Sequence, residues 1–335
     1  MPPHFRRAPR LARPTMTVGM QVSFIVPLYN CLALTQAMVA SLQAHLPRGL
    51  AHEIILVDDG STDGTRAWLA TLSSSNGLQS LSPSNGLAPL AAPFRVVLND
   101  RNLGYAGANN RGAAIATGDL LVLLNNDLVL TPGWLEPMLA LHAALPKPCA
   151  IGNVQLNIAN DAIDHAGITI TVKGKPEHDV TLPRSSDFKT SPAVTGACLL
   201  IARDLWQQLG GFDEQFHNGA EDIDLCFRAR RAGYTNAVAL HSVIRHHVSA
   251  SPGRKENDEH NSYLFTLRWE KELIELGARA WCKHHVRHTP YRELLSLPAI
   301  LLFLSGLRHT PPAAALHGVK RNIEHSLGIW SKRFG

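Results

Sequence analysis

Three acidic signals stand in a fixed order along the chain. They are Asp58-Asp59-Gly60-Ser61-Thr62-Asp63 after one apolar run, Asn125-Asn126-Asp127 after another, and Glu221-Asp222 at the start of a helical pattern. Carboxylates at strand ends are costly unless a cation or hydrogen-bond donors collect them. An open α/β sheet can collect them, because its ligands gather at the carboxyl ends of the strands. Such an arrangement suits a nucleotide, a divalent metal and a hydroxyl that must lose its proton.

Each signal has a chemical and a structural reading. Asp59 follows the second strand, where a carboxylate can accept the imide N–H of uracil or thymine, a donor that adenine does not offer. A turn aspartate bonded to its own backbone is the alternative, and it suits Asp58 and Asp63 better. Asn125-Asn126-Asp127 offers one carboxylate and two neutral amide oxygens. Hard divalent cations accept both kinds of oxygen, yet a single anionic ligand makes a weak site until a substrate diphosphate completes it. The alternative there is an Asx-rich turn. Glu221-Asp222 sits where a helix dipole favours acids, with Arg228, Arg230 and Arg231 balancing the far end. In the chemical reading, one of these two carboxylates is a general base. His246-His247 follows a strand pattern and precedes Val248-Ser249-Ala250-Ser251, in a chain whose 17 histidines are mostly surface or core residues.

The elements that must position these groups alternate. Apolar, β-branched runs at 22–28 and 53–58 read as buried strands, separated by helical spacing over 34–46. Ser61 or Thr62 can cap a helix running through Trp68 and Leu72. Residues 73–93 repeat Ser-Asn-Gly-Leu without a core pattern and read as a flexible surface insertion. A strand at 94–98, a small-residue helix at 104–117 and a strand at 119–124 follow, and Pro132 starts the next helix at its first turn. Strands are expected at 150–154, 193–201 and 235–240, and a helix at 221–232 stopped by Gly233. The stretch 155–192 is polar and reads as a mobile region on the acceptor side. A helix over 257–277 leads into a basic helical tail. This alternation predicts a mostly parallel, doubly wound sheet.

The chain has 335 residues, 45% hydrophobic and 18% charged, with a formal net charge of +5. Its basic residues concentrate at the two ends, with Arg6, Arg7, Arg10 and Arg13 in front and Arg308, Lys320, Arg321, Lys332 and Arg333 behind. That distribution argues against nucleic acid as a partner, since a binder would carry its charge on one folded face among aromatic platforms. It suits attraction to an anionic membrane surface better. The five cysteines form no C-x-x-C pair, which points to buried thiols in a reducing, cytoplasmic setting. Residues 1–20 lack the apolar stretch of a signal peptide and read as a disordered basic leader, with Met16 and Met20 as alternative starts. The run 294–307 is uncharged but contains Pro298 and falls short of the roughly 20 residues of a spanning helix. Flanked by Arg292 and Arg308, it can lie in a membrane interface on the inner face or serve as a core helix or oligomer contact.

Taken in order, Pro27-Leu28-Tyr29-Asn30, the Asp58–Thr65 run, Asn102-Leu103-Gly104 with Asn109-Asn110-Arg111-Gly112, Asn125-Asn126-Asp127, and Glu221-Asp222 with Asp224 and Arg228 closely resemble the family 2 glycosyltransferases of the GT-A fold. The likeness is greatest to the branch that includes rhamnosyltransferases, and it covers about residues 21–251. It implies an α/β GT-A domain over 21–255 and a helical C-terminal extension over 256–335. It also implies a nucleotide-sugar donor, UDP- or dTDP-linked, whose base sits on Asp59 between Pro27 and Tyr29. Asn30, Asn102, Gly104, Asn109, Asn125 and Asn126 would complete the donor site. Asp127 takes the place of the family's D-x-D metal ligand, although Asn125 and Asn126 depart from the acidic pattern. His246, with His247 as the alternate, would complete a Mn2+ or Mg2+ site. Asp222 takes the place of the base, with Glu221 as its helper. Thr195-Gly196-Ala197-Cys198 and Gly210-Gly211-Phe212-Asp213-Glu214 would shape the pocket for a glycan or lipid-linked acceptor. The implied reaction is an inverting, metal-assisted transfer. A sugar-1-phosphate nucleotidyltransferase would need a glycine- and Lys/Arg-rich loop after the first strand, which is missing. A catalytically silent carbohydrate- or membrane-binding module would have no use for Asp127 and Asp222.

Overall fold

The computed structural model describes residues 20–74, 94–247, 257–288 and 297–335. The elements run β1 Gln21–Leu28, α1 Leu32–Ala44, β2 Ala51–Asp58, α2 Thr65–Ser74, β3 Phe94–Leu98, α3 Gly104–Ile115, β4 Leu120–Leu124, β5 Leu128–Val129, α4 Glu136–Ala144 and β6 Pro148–Asn157. After these come β7 Ile163–His165, β8 Ile168–Ile170, β9 Pro176–His178, β10 Phe188–Thr190, β11 Cys198–Ala202, α5 Arg203–Leu209, α6 Glu221–Arg231 and β12 Thr235–His246. The chain ends in α7 Asp258–His288, α8 Leu297–Leu304 and α9 Ala313–Phe334.

Two compact units result, one of Met1–Gly167 with Val180–Arg254 and one of Ile168–Asp179 with Lys255–Gly335. The first is built on a ten-stranded sheet of order β10-β12-β6-β11-β4-β1-β2-β3, with β5 on β12 and β7 on β6. Its first half is parallel, β4 and β2 flanking β1 and β3 pairing with β2. Strands β1, β2 and β4 are buried along most of their length, which is why they read as apolar runs, while β3 at the sheet edge is only half-buried and leaves Leu98 exposed. Antiparallel β11 then separates β4 from β6, while β12 returns parallel to β6. Helix α3 lies on the sheet through its small residues: a Cβ on Gly112 would stand 2.5 Å from Ile25 Cγ2 and 3.0 Å from Val57 Cγ2.

Several elements differ from the sequence expectation for local physical reasons. Helix α2 begins at Thr65, because Asp63 Oδ1 accepts the Thr65 N–H at 2.9 Å and its hydroxyl at 2.6 Å, so Asp63 rather than Ser61 or Thr62 caps it. Helix α4 begins at Glu136 and places Pro137, not Pro132, in its first turn. The stretch 155–192 carries short strands β7 to β10, too brief to leave a periodic signature. Strand β12 extends past Leu240 to His246. The strand expected over 193–201 is confined to β11, and residues 193–197 form no strand, despite their apolar character. Residues 75–93 of the expected insertion, the 1–19 leader, 248–251 and 294–296 lie outside the described residues. All five cysteines are free, and Cys149, Cys198, Cys226 and Cys282 are buried.

In the second unit, β8 and β9 form a hairpin, and α9 packs on α7 by way of small residues. Ala278, Cys282, Ile300 and Ala315 form its core, with Trp281, Phe303 and Leu304 against them. The outer face of α8 leaves Leu301 and Leu302 exposed. Among the described residues, no helix is long and apolar enough to cross a membrane.

One buried carboxylate ties β1, β2, β3 and the turn between α3 and β4 together. Glu53 Oε1 accepts the hydroxyl of Ser23 at 2.6 Å and the Thr117 N–H at 2.7 Å, and Oε2 accepts from Arg95 at 2.9 Å. Burial alone would raise its pKa, but these donors outweigh it and hold the carboxyl at about 2, below the usual 4.5. A depressed folded-state value stabilises the fold fully above the unfolded value and loses that contribution as pH falls through the folded one. Glu53→Gln is therefore expected to cost about 1–3 kcal/mol at neutral pH. Urea unfolding should show that deficit shrinking steadily between pH 4.5 and 2; a deficit independent of pH would contradict the assignment.

Candidate active site

The first loop cluster joins the ends of β1 and β2. Asn30 and Cys31 both adopt left-handed φ, at 55° and 58°. That turn lets Asn30 Oδ1 accept the N–H of Thr62 at 2.8 Å, while its own N–H donates to Ser61 Oγ at 2.8 Å. Asn30 thus braces the Ser61–Asp63 turn with its side chain. Asp58 is fully buried, accepts the Ser61 N–H of its own turn at 3.3 Å and is also paired with Arg66 at 2.7 Å. Asp59 behaves differently. Its Oδ1 accepts from Asn99 Nδ2 at 2.8 Å and the Leu103 N–H at 2.9 Å, and its Oδ2 from the Gly104 N–H at 2.9 Å. These bonds draw the Asn99–Gly104 loop over the end of β2, and burial pushes the Asp59 carboxyl up in spite of them. Asn102 Oδ1 accepts the same Gly104 N–H. Pro27 closes β1 beside Val57, and Tyr29 stands 43% exposed next to it, free to offer a ring face. Asn109 is fully buried, donates to the Tyr105 carbonyl within its own helix, and leaves Oδ1 without a hydrogen-bond partner.

The second cluster follows β4. Asn126 Nδ2 donates to Thr35 Oγ1 at 3.0 Å, so this amide anchors the loop to α1. Asp127 and His246 meet because β5 pairs antiparallel with β12, setting His246 opposite Leu128, and because the His247 N–H donates to the Asp127 carbonyl at 3.0 Å. Asp127 Oδ1 lies 3.3 Å from His246 Nε2, and Asp164 Oδ2 lies 3.7 Å from His246 Nδ1. His246, not His247, makes these two contacts. Burial would lower the His246 pKa, but Asp127 and Asp164 outweigh it and raise it to about 9. The 3.3 Å contact is not aligned as a hydrogen bond. Asp127 Oδ1, both His246 ring nitrogens and Asn125 Oδ1 are buried without a hydrogen-bond partner. With its pKa at about 9 the His246 ring is charged at neutral pH and balances Asp127 and Asp164, so a metal bound there would displace the ring proton, and Asn125 Oδ1 is left as a buried acceptor for a ligand. Among the described residues no three His, Cys, Asp or Glu side chains converge as a metal-holding group.

The third cluster is the start of α6. Acidic Glu221, Asp222 and Asp224 occupy its first turn and Arg228, Arg230 and Arg231 its last, complementing the dipole. Asp224 is bound to Arg228 at 2.7 Å. Glu221 is buried, and its Oε2 accepts the Gly219 N–H at 2.6 Å, bracing the turn into the helix. That turn is strained, with left-handed φ of 58° at Asn218 and 75° at Ala220. Asp222 Oδ2 accepts the Gly196 N–H at 2.6 Å.

Residues 195–197 join these clusters. The Ala197 carbonyl accepts the Asn125 N–H at 2.9 Å. One residue earlier, the Gly196 N–H grips Asp222 and the Gly196 carbonyl accepts the Tyr105 hydroxyl at 2.6 Å. The Thr195 N–H approaches His165 Nε2 at 3.3 Å. The structure therefore brings Asn125-Asn126-Asp127, His246 and Asp222 to one end of the sheet. It adds three residues that motif reasoning passed over: Tyr105, Asp164 and His165. Tyr105 directly follows the Asn102-Leu103-Gly104 motif, so its neighbourhood was visible. Asp164 and His165 depend on the register of the short strand β7, for which the sequence carries no signal.

Comparison with known proteins identifies the family and the fold. The profile of "Glycosyl transferase family 2" matches residues 23–210. The O-antigen biosynthesis protein RfbC of Myxococcus xanthus is 30% identical over 69% of this chain and 18% of its own length. N-acetylglucosaminyl-diphospho-decaprenol L-rhamnosyltransferase of Mycobacterium tuberculosis is 25% identical over 82% of this chain and 90% of its own. The chain spans less than a third of the length of the first curated relatives that it matches. Among solved structures, GalNAc-T7 with UDP, GalNAc and Mn2+ superposes with a TM-score of 0.59 at 17% identity, over 85% of this chain and 55% of that one, a likeness of GT-A fold. With more than half its length matched by the family profile, the chain belongs to glycosyl transferase family 2.

Proposed function

We propose that this chain is an inverting glycosyltransferase that moves a sugar from a UDP- or dTDP-linked donor to a hydroxyl of a glycan or lipid-linked acceptor. The observation that carries the reading is the bridge of residues 195–197, which connects the Asn125–Asp127 loop to Asp222. Asp59, Pro27 and Tyr29 would take the base, and Asn30, Asn102, Gly104 and Asn109 would shape the donor cleft around it. Asp127 and His246, with Asn125 and Asn126 beside them, would hold a divalent cation, whose chemistry is to neutralise charge on the departing diphosphate. Two protein ligands suffice only when donor oxygens complete the shell, so cation and donor should bind together. The relative named for rhamnosyl transfer and the Mn2+ and UDP in the similar structure support these roles.

Asp222 would accept the proton of the acceptor hydroxyl as its oxygen bonds to the anomeric carbon. The bond to the nucleotide diphosphate breaks on the opposite face, and the electron pair leaves with the diphosphate. One such displacement inverts the anomeric centre. Glu221 supports the base by holding the turn before it. The reading also puts the protein in the cytoplasm, with the second unit resting on the inner face of the membrane. From Arg279 onward the chain carries nine Lys or Arg against two Glu, and α8 exposes Leu301 and Leu302 nearby.

Three outcomes test this. Asp222→Asn should reduce transfer by about 10²–10⁴-fold while leaving donor affinity close to wild type; turnover at the wild-type rate would remove Asp222 from the chemistry. Asp127→Ala should abolish the Mn2+-dependent part of donor binding in calorimetry, and unchanged metal dependence would contradict its role. Sedimentation with vesicles should show binding to phosphatidylglycerol that weakens with salt. Equal partition onto phosphatidylcholine vesicles, or none onto either, would count against membrane contact.

A further inference from the structure

The hydrogen bonds around Gly196 assign a role to a side chain outside the proposed donor, metal and base residues. Tyr105 opens α3, and its hydroxyl donates to the Gly196 carbonyl at 2.6 Å. The N–H of the same glycine donates to Asp222 Oδ2, also at 2.6 Å. Position 196 is tightly packed, since a Cβ there would stand 3.0 Å from the Tyr105 hydroxyl and 3.3 Å from Asp222 Cβ. Tyr105 also reaches Asp222 by a second route. Its backbone N–H donates to Asn218 Oδ1 at 2.9 Å, and Asn218 belongs to the strained turn leading into Glu221-Asp222.

The remainder of the tyrosine is fixed independently of its hydroxyl. Its ring packs on Phe212 with centroids 5.8 Å apart, and Phe212 packs in turn on Trp206 at 4.8 Å. Burial, with Glu221 and Asp222 close by, raises the Tyr105 pKa well above its ordinary value, so the phenol remains a neutral donor throughout the physiological range.

We infer that Tyr105 is a positioning residue for the proposed transfer, fixing Gly196 so that its N–H aims the Asp222 carboxylate at the acceptor hydroxyl. The inference rests on the reading of Asp222 as the base. Residues 193–197 form no strand, so no sheet ladder holds Gly196 in place. Its position depends instead on the bonds it makes, and the Tyr105 hydroxyl is one of the two on its own peptide groups.

Tyr105→Phe removes that single oxygen and keeps the ring packing, which makes it the informative variant. It should lower kcat about ten- to a hundredfold, the cost of a misaimed catalytic group, with donor KM unchanged. Wild type, Tyr105→Phe and Asp222→Asn are compared in parallel, with the Gly196 amide proton followed by NMR in isotope-labelled protein. A short bond to a carboxylate puts that proton at low field in wild type, and it should move upfield in Tyr105→Phe. Wild-type kcat in Tyr105→Phe alongside an inactive Asp222→Asn would overturn the inference and leave the base reading intact. Wild-type turnover by Asp222→Asn would instead overturn the base reading. In that case the amide resonance still decides whether Tyr105 governs the Gly196–Asp222 bond, and an unmoved signal rejects it.

Discussion

The contact on which the site depends is the pair of backbone bonds made by residues 196 and 197. The Ala197 carbonyl takes the Asn125 N–H, and the Gly196 N–H takes the Asp222 carboxylate. Asn125 belongs to the loop after β4 and Asp222 to α6, nearly a hundred residues later. This bridge ties the Asn125–Asp127 loop to the first turn of α6. With it, a displacement at one end is transmitted through two peptide groups to the other. A charge-assisted bond of 2.6 Å, in a partly buried site, is a stiff link.

The bridge exists because the sheet changes direction next to it. Antiparallel β11 pairs along β4, so the segment entering β11 must pass over the carboxyl end of β4. There it meets the Asn125–Asp127 loop. The two-residue strand β5 then pairs with the end of β12 and delivers His246 to Asp127. A wholly parallel sheet would have left these groups on separate crossover loops. The antiparallel insertion is therefore the feature of the fold that assembles the candidate site, and the parallel half supplies the turns proposed to face the donor.

Much of this was legible in the residues. Strands β1, β2 and β4 announced themselves as apolar runs, since most of their residues are buried. The acidic and amide clusters stood at strand and helix ends, where solvent-averse sequences place them only for a reason. The sequence left His246 and His247 both open, and the strand register sets His246 beside Asp127. What escaped was set by tertiary geometry. The apolar run 193–201 reads as one strand, yet its first part forms none, and that departure frees Gly196 to bond with Asp222. Asp63 rather than its hydroxyl neighbours caps α2, because the left-handed turn at Asn30 and Cys31 pulls the Ser61–Asp63 loop toward β1. Tyr105, Asp164 and His165 carry no pattern of their own, since their roles arise only once β7 finds its register and α3 meets the 193–197 stretch.

The most direct test of the account is a crystal of the chain with a UDP-linked sugar and Mn2+, measured for the anomalous signal of manganese. The account predicts a peak between the Asp127 carboxylate and the diphosphate oxygens, with the anomeric carbon facing Asp222 and residues 195–197 still bridging the two. A peak remote from Asp127, or a sugar bound on the side of the sheet away from Asp222, would contradict it.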